Sequence, residues 1–232
     1  WFVGFLDPAL AKLIFSNPKA CLAGSGKSSG LAIRTDNGYR LHGYWPHASG
    51  AHHATAFTAN CQLEDGGKKQ MNNGDPLVRP FVFLREEVQL EENWHTAGMR
   101  ATGSVGFRVQ PREIPANRIF EIDPARATLP QAIYQYPFLP FAEATLAVNY
   151  CGMALRFLEL CGTVDPALNQ VRDSFFNLIE QSWQEVQSTN RLSASMQASI
   201  SRLSRALADR ARQVVHERSD AEPYPIHPEW TR

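Results

Sequence analysis

The chain has 232 residues, 44% apolar and 20% charged, the balance of a globular protein with one large or two modest cores and not of a disordered one. Its 23 basic and 23 acidic side chains cancel, which removes any global pull toward nucleic acid or an anionic membrane. Cys21, Cys61, Cys151 and Cys161 form neither a C-x-x-C pair nor a zinc-type cluster and read as reduced thiols in a cytoplasm.

Residues 1–17 are apolar and start at Trp1, which reads as the remnant of a helical domain or a docking segment of something larger, broken by Asn17-Pro18. Ala23-Gly-Ser-Gly-Lys-Ser28 resembles a phosphate-binding loop, but that pattern requires a glycine where Cys21 stands. Such a loop also sits between a strand and a helix N-terminus, whereas here a strand follows, so a flexible polar loop is expected. From Leu31 come short runs rich in β-branched and aromatic residues: Leu31 to Thr35, Tyr39 to Trp45, Ala54 to Leu63, Leu77 to Leu84 and Val105 to Gln110. Asp36-Asn37-Gly38 between the first two is a hairpin signal. Asp65-Gly66-Gly67 and Asn72-Asn73-Gly74-Asp75-Pro76 punctuate the next pair, and the strand signal ends between Pro111 and Pro130.

From Pro137 the period changes from two to about 3.6. Leu139 to Cys161 is apolar nearly all round and almost long enough to span a membrane, but Glu143, Asn149, Arg156 and Glu159 interrupt it, so a core helix and no membrane span is expected. Asp165-Pro166 supplies an N-cap and a first-turn proline, followed by Val171, Phe175, Leu178, Ile179, Trp183 and Val186 on one face. A third helix carries Met196, Ile200, Leu203, Leu207, Ala211 and Val214, and Pro223, Pro225 and Pro228 end the helical pattern. The expected fold is α+β: a β-barrel-like domain over 18–128, then an antiparallel helical bundle over 129–232.

Two segments carry chemistry. Gly43-Tyr-Trp-Pro-His-Ala-Ser-Gly50 brings a glycine for close approach of a flat ring and a hydroxyl, Ser49, to donate a hydrogen bond. Gly98-Met-Arg-Ala-Thr-Gly-Ser104 is expected to enter the strand ending near Gln110, with Thr102 and Ser104 on one face. His42, His47, His52 and His53 diverge on alternating positions with no carboxylate among them, so no metal site is expected, and His47 and His53 are candidates to line a ligand pocket.

In order, spacing and surroundings the two segments resemble the flavin-binding middle domain of the acyl-CoA dehydrogenase superfamily, and Ile114-Pro115 resembles the Val/Ile-Pro that follows it there. The resemblance implies a flavin, FAD or FMN, with Trp45, Ser49, Gly50, Gly98, Met99, Arg100, Thr102 and Ser104 as its contacts. It implies an N-terminal helical domain and last bundle helices beyond this chain. The family's catalytic base lies in those parts, so no catalytic residue is assigned.

The first functional expectation is α,β-dehydrogenation of an acyl thioester. The form Trp-Pro-x-Ala-Ser-Gly is closer to the branch holding two-component flavin-dependent hydroxylases, which makes hydroxylation of an aromatic substrate the alternative. A non-catalytic assembly module or enzyme fragment is a third. Implied partners are an acyl-CoA or aromatic small molecule, a flavin reductase or an electron-transfer flavoprotein, and further copies in a homotetramer.

Overall fold

The computed structural model describes residues 1–221, so the helix stop expected at Pro223, Pro225 and Pro228 lies outside the described residues. The chain divides into two compact units, Trp1–Ile122 and Asp123–Arg232.

The first unit opens with a 3-10 turn, Phe2–Phe5, and helix α1, Pro8–Phe15. Asp7 starts α1 by accepting hydrogen bonds from the backbone N–H groups of Ala9 and Leu10, with Pro8 in the first turn, where a missing N–H costs nothing. The strands follow: β1 Leu22–Thr35, β2 Gly38–Trp45, β3 Ala56–Asp65, the short β4 Lys68–Lys69, β5 Met71–Asn72 and β6 Asp75–Pro76, then β7 Val78–Leu84, β8 Gln89–Glu91 and β9 Gly106–Pro115. Seven of them form one mixed sheet in the order β4-β3-β1-β2-β9-β8, with β7 on β3, and β5 pairs with β6 apart from it. The β1–β3 pair is parallel and the rest of the large sheet is antiparallel. The ladder does not close into the expected barrel among the described residues; a single bridge from Phe81 to Ile119 links β7 to the segment after β9.

One reading changes here. Residues 23–28 are strand, not loop: β1 begins at Leu22 and pairs with β3 from Leu22 opposite Ala56 to Ser25 opposite Ala59, with a register shift before Gly30. Their small side chains suit a close neighbour, since a Cβ on Gly24 would lie 2.5 Å from the Thr58 carbonyl oxygen. The run expected over Val105 to Gln110 forms as β9 and continues to Pro115, within the stretch where the strand signal was expected to end. Pairing steps from Leu41 opposite Arg112 to Gly43 opposite Val109, so Gln110 and Pro111 together face His42 in a bulge, where proline's missing N–H removes no ladder bond. The Asp36-Asn37 hairpin forms, with Thr35 opposite Gly38. Gly38 is needed for more than the turn: its φ is 147°, and a Cβ would lie 2.2 Å from the Ile114 carbonyl oxygen of β9.

The second unit holds α2 Phe138–Leu160, α3 Pro166–Thr189 and α4 Ala194–Ala221. Asp165 caps α3, its carboxylate accepting from the Leu168 N–H at 2.6 Å and pairing with Arg210 of α4. Glu143 near the start of α2 bonds Ser201 near the start of α4, so α4 runs alongside α2 and against α3. The core joins Ala147, Cys151, Ala154 and Leu158 of α2 to Leu168 and Phe175 of α3 and to Leu207, Ala211 and Val214 of α4. Among the described residues α2 is core on one side only. By length and composition it is apolar enough to cross a membrane, yet only 28% of its most apolar window is buried. Leu139, Leu146, Tyr150 and Met153 form a second, exposed row. Val148 and Thr145 continue that surface into an apolar cavity of about 360 Å³ walled by Phe141, Phe175, Phe176 and Trp183.

Candidate functional site

Trp45 closes β2, and its indole has no exposed surface. It stacks on Phe107 at 5.3 Å, leans on Phe83, and donates its Nε1–H to the Asn60 carbonyl at 2.9 Å. Gly30 and Gly43 clear its other side, for a Cβ on either would come within 2.6 Å of the ring. Trp45 is therefore a core residue that anchors the end of β2, not a side chain against which a ligand lies. The neighbouring Cys61 is equally enclosed, and burial pushes its thiol well above the ordinary range, which leaves it unreactive.

From that anchor the chain turns outward through His47, in the left-handed region at φ 64°, to the exposed Ser49. The second segment comes to meet it. Gly98 to Ser104 is not the start of a strand: Met99 at φ 56° and Gly103 at φ 51° flank a 3-10 turn, Arg100–Thr102, and β9 begins only at Gly106. The expected common face arises from this turn instead of from strand alternation. Ser49 Oγ lies 2.7 Å from Ser104 Oγ, which lies 2.7 Å from Thr102 Oγ1, which donates to the Met99 carbonyl at 2.8 Å. The backbones are tied as well, Gly50 N–H to the Thr102 carbonyl at 2.8 Å and Ala48 N–H to the Val105 carbonyl at 2.9 Å.

Ser104 is buried, Thr102 half-buried, and Ser49 at the surface end of the chain of hydroxyls. Nothing stands within 4 Å of a Cβ built on Gly50 or Gly98, so both present open backbone. Met99 and Arg100 are exposed, and Arg100 makes no ion pair among the described residues.

Sequence reasoning missed the supports of this arrangement. Trp94 donates its indole N–H to the Met99 carbonyl and receives the edge of His47. Asn93 accepts from the Gly106 N–H and donates to the Tyr44 hydroxyl, which holds the incoming segment to the start of β9. His52, not His53, faces the second segment, its ring covering Gly103 and its Nε2 3.7 Å from a Glu92 carboxylate oxygen. Of these only Trp94, inside the second motif, carried a signal; the parity of adjacent histidines in a turn cannot be read from strand alternation.

A mixed sheet followed in the chain by three long helices is the pattern of the acyl-CoA dehydrogenase-like class of folds. Within that class the chain is similar to the crystal structure of the HsaA monooxygenase from M. tuberculosis, with a TM-score of 0.82 and 18% identity over 98% of this chain and 66% of that one. In sequence it is similar to the pigment production hydroxylase of a Rhodococcus species, 28% identical over 212 residues, or 88% of this chain and 49% of the relative. It also resembles the oxygenase component of the FADH2-dependent resorcinol hydroxylase of a Rhizobium species, 26% identical over 158 residues, 65% of this chain and 37% of the relative. The chain spans about half the length, or less, of these curated relatives. No family model matches it. These relatives are hydroxylases, which puts the hydroxylase alternative ahead of acyl thioester dehydrogenation.

Proposed function

We propose that this chain is part of the oxygenase component of a two-component flavin-dependent monooxygenase, which takes up reduced FAD or FMN from a separate reductase and hydroxylates a small aromatic molecule with dioxygen. The observation that carries the reading is the meeting of Ser49 and Gly50 with the Thr102–Ser104 hydroxyls on an open, glycine-edged surface, in a chain whose relatives are hydroxylases. The residues fit a flavin in two respects. Open backbone at Gly50 and Gly98 admits a flat ring closely, and Ser49 offers a fixed hydroxyl beside it. When bound, the flavin supplies the two electrons that activate dioxygen. The chain's own part is to hold the ring against Ser49, with Arg100 and Met99 at its margin.

The test is flavin binding followed by turnover. The intact protein is expected to quench the fluorescence of added FAD or FMN, and to consume oxygen with a phenolic substrate when a reductase and NADH keep the flavin reduced. Acyl-CoA added without air is expected to leave bound oxidised flavin coloured. A folded protein that binds neither flavin at tens of micromolar, oxidised or reduced, roughly −6 kcal/mol, overturns the proposal. Bleaching by acyl-CoA would restore the dehydrogenase reading.

A further inference from the structure

We propose that Thr102 and Ser104 are positioning residues that fix the direction of the Ser49 hydroxyl, so that the site favours reduced over oxidised flavin; this rests on the flavin reading above. The direction follows from proton counting, because each hydroxyl has one proton to give. A carbonyl can only accept, so the proton of Thr102 goes to the Met99 oxygen 2.8 Å away. The 2.7 Å contact between Thr102 and Ser104 then needs the proton of Ser104. The 2.7 Å contact between Ser104 and Ser49 in turn needs the proton of Ser49. All three protons point inward, and Ser49 shows the solvent only lone pairs.

Reversal is opposed by burial. If Ser104 gave its proton to Ser49, the Thr102 and Ser104 oxygens would face each other at 2.7 Å with no proton between them, and Ser104, 5% exposed, has little access to water that might compensate. Sequence reading gave Ser49 the role of donor; the hydroxyl chain makes it an acceptor.

The consequence is a choice between redox forms. The N5 position of a flavin ring carries N–H when reduced and a bare lone pair when oxidised. With the N5 edge of the ring turned to Ser49, as the proposal requires, an acceptor oxygen there favours the first and weakens the second. Cutting the chain frees the Ser49 proton to turn outward, which strengthens binding of the oxidised form relative to the reduced one.

The experiment measures the dissociation constants of oxidised FAD and FMN in air and of the dithionite-reduced forms without oxygen, for the intact protein and three variants. Wild type is expected to bind the reduced form more tightly. Ser104→Ala and Thr102→Val are each expected to lower the oxidised-to-reduced ratio about tenfold, equivalent to about 30 mV in the potential of the bound two-electron couple. Thr102→Ser keeps the hydroxyl and is expected to keep the ratio. A purely structural role would weaken both forms together and leave the ratio alone. Flavin binding with the same ratio in wild type, Ser104→Ala and Thr102→Val overturns the inference while sparing the flavin reading. Failure of wild type to bind either form overturns both.

Discussion

At the scale of single residues, the two most conspicuous members of the first motif separate into different kinds of work. Trp45 is enclosed by Phe83 and Phe107, and Ser49, four positions on, stands at the surface end of a hydroxyl chain. Their substitutions are expected to separate likewise. Trp45→Ala empties a core site and is expected to cost about 3–5 kcal/mol in denaturant unfolding. Gly30→Ala drives a methyl to 2.2 Å from the Trp45 ring and 2.7 Å from Cys61 Sγ, and is expected to cost about 1–3 kcal/mol. Ser49→Ala is expected to cost only about 1 kcal/mol, while flavin-dependent turnover falls on the order of a hundredfold, the effect of losing one polar contact aimed at a reacting centre. A Ser49→Ala protein that turns over like wild type would remove Ser49 from the site. The common side of Thr102 and Ser104 was legible in their spacing about Gly103, although a turn and not a strand produces it; their meeting with Ser49 was not, because it joins residues 55 positions apart. The burial of Trp45 was not, because a Trp beside a Ser-Gly turn has the same local sequence in a core and in a pocket, and Phe83 and Phe107, which decide between them, lie far along the chain.

At the scale of elements, what was legible had local causes. Helix α3 starts where Asp165-Pro166 says it should, because the cap, the proline and the apolar period lie within a few residues of one another. What was not legible depended on a distant strand: the extension of β1 through Gly24 is held by β3, and the tolerance of Pro111 by a bulge against β2. The Asp165 cap also yields a pH dependence. The hydrogen bond from Arg210, assisted by that from the Leu168 N–H, holds the Asp165 carboxyl below the usual carboxylate range. As pH falls the unfolded chain takes up the proton first, so the stabilisation is complete above about pH 4 and is lost as pH drops through the lower folded value. Asp165→Asn retains a capping oxygen without the charge. It is expected to be less stable than wild type at neutral pH and to lose less on acidification, as thermal melts between pH 7 and pH 3 would record. Parallel loss in the two proteins would mean that the Arg210 pair contributes nothing.

For the whole molecule, the apolar row along α2 bears on assembly. Leu139, Leu146 and Met153 are 62%, 59% and 50% exposed, and an apolar row of this kind favours association. We expect more than one chain per particle in sedimentation equilibrium, and dissociation with unchanged helical content when Leu146→Glu and Met153→Glu are combined; a wild-type monomer at every accessible concentration would count against it. The sheet has a different consequence, one of timing. Strand β2 is made early yet takes its second neighbour from β9, with Gly38 opposite Pro115 and Trp45 opposite Phe107. On a ribosome the strand that ends in Trp45 must therefore wait, one edge unpaired, until residue 115 has emerged. Pairings of long sequence separation form slowly and leave strand edges exposed meanwhile, so until β9 arrives the free edge of β2 is a place where the growing chain is open to aggregation.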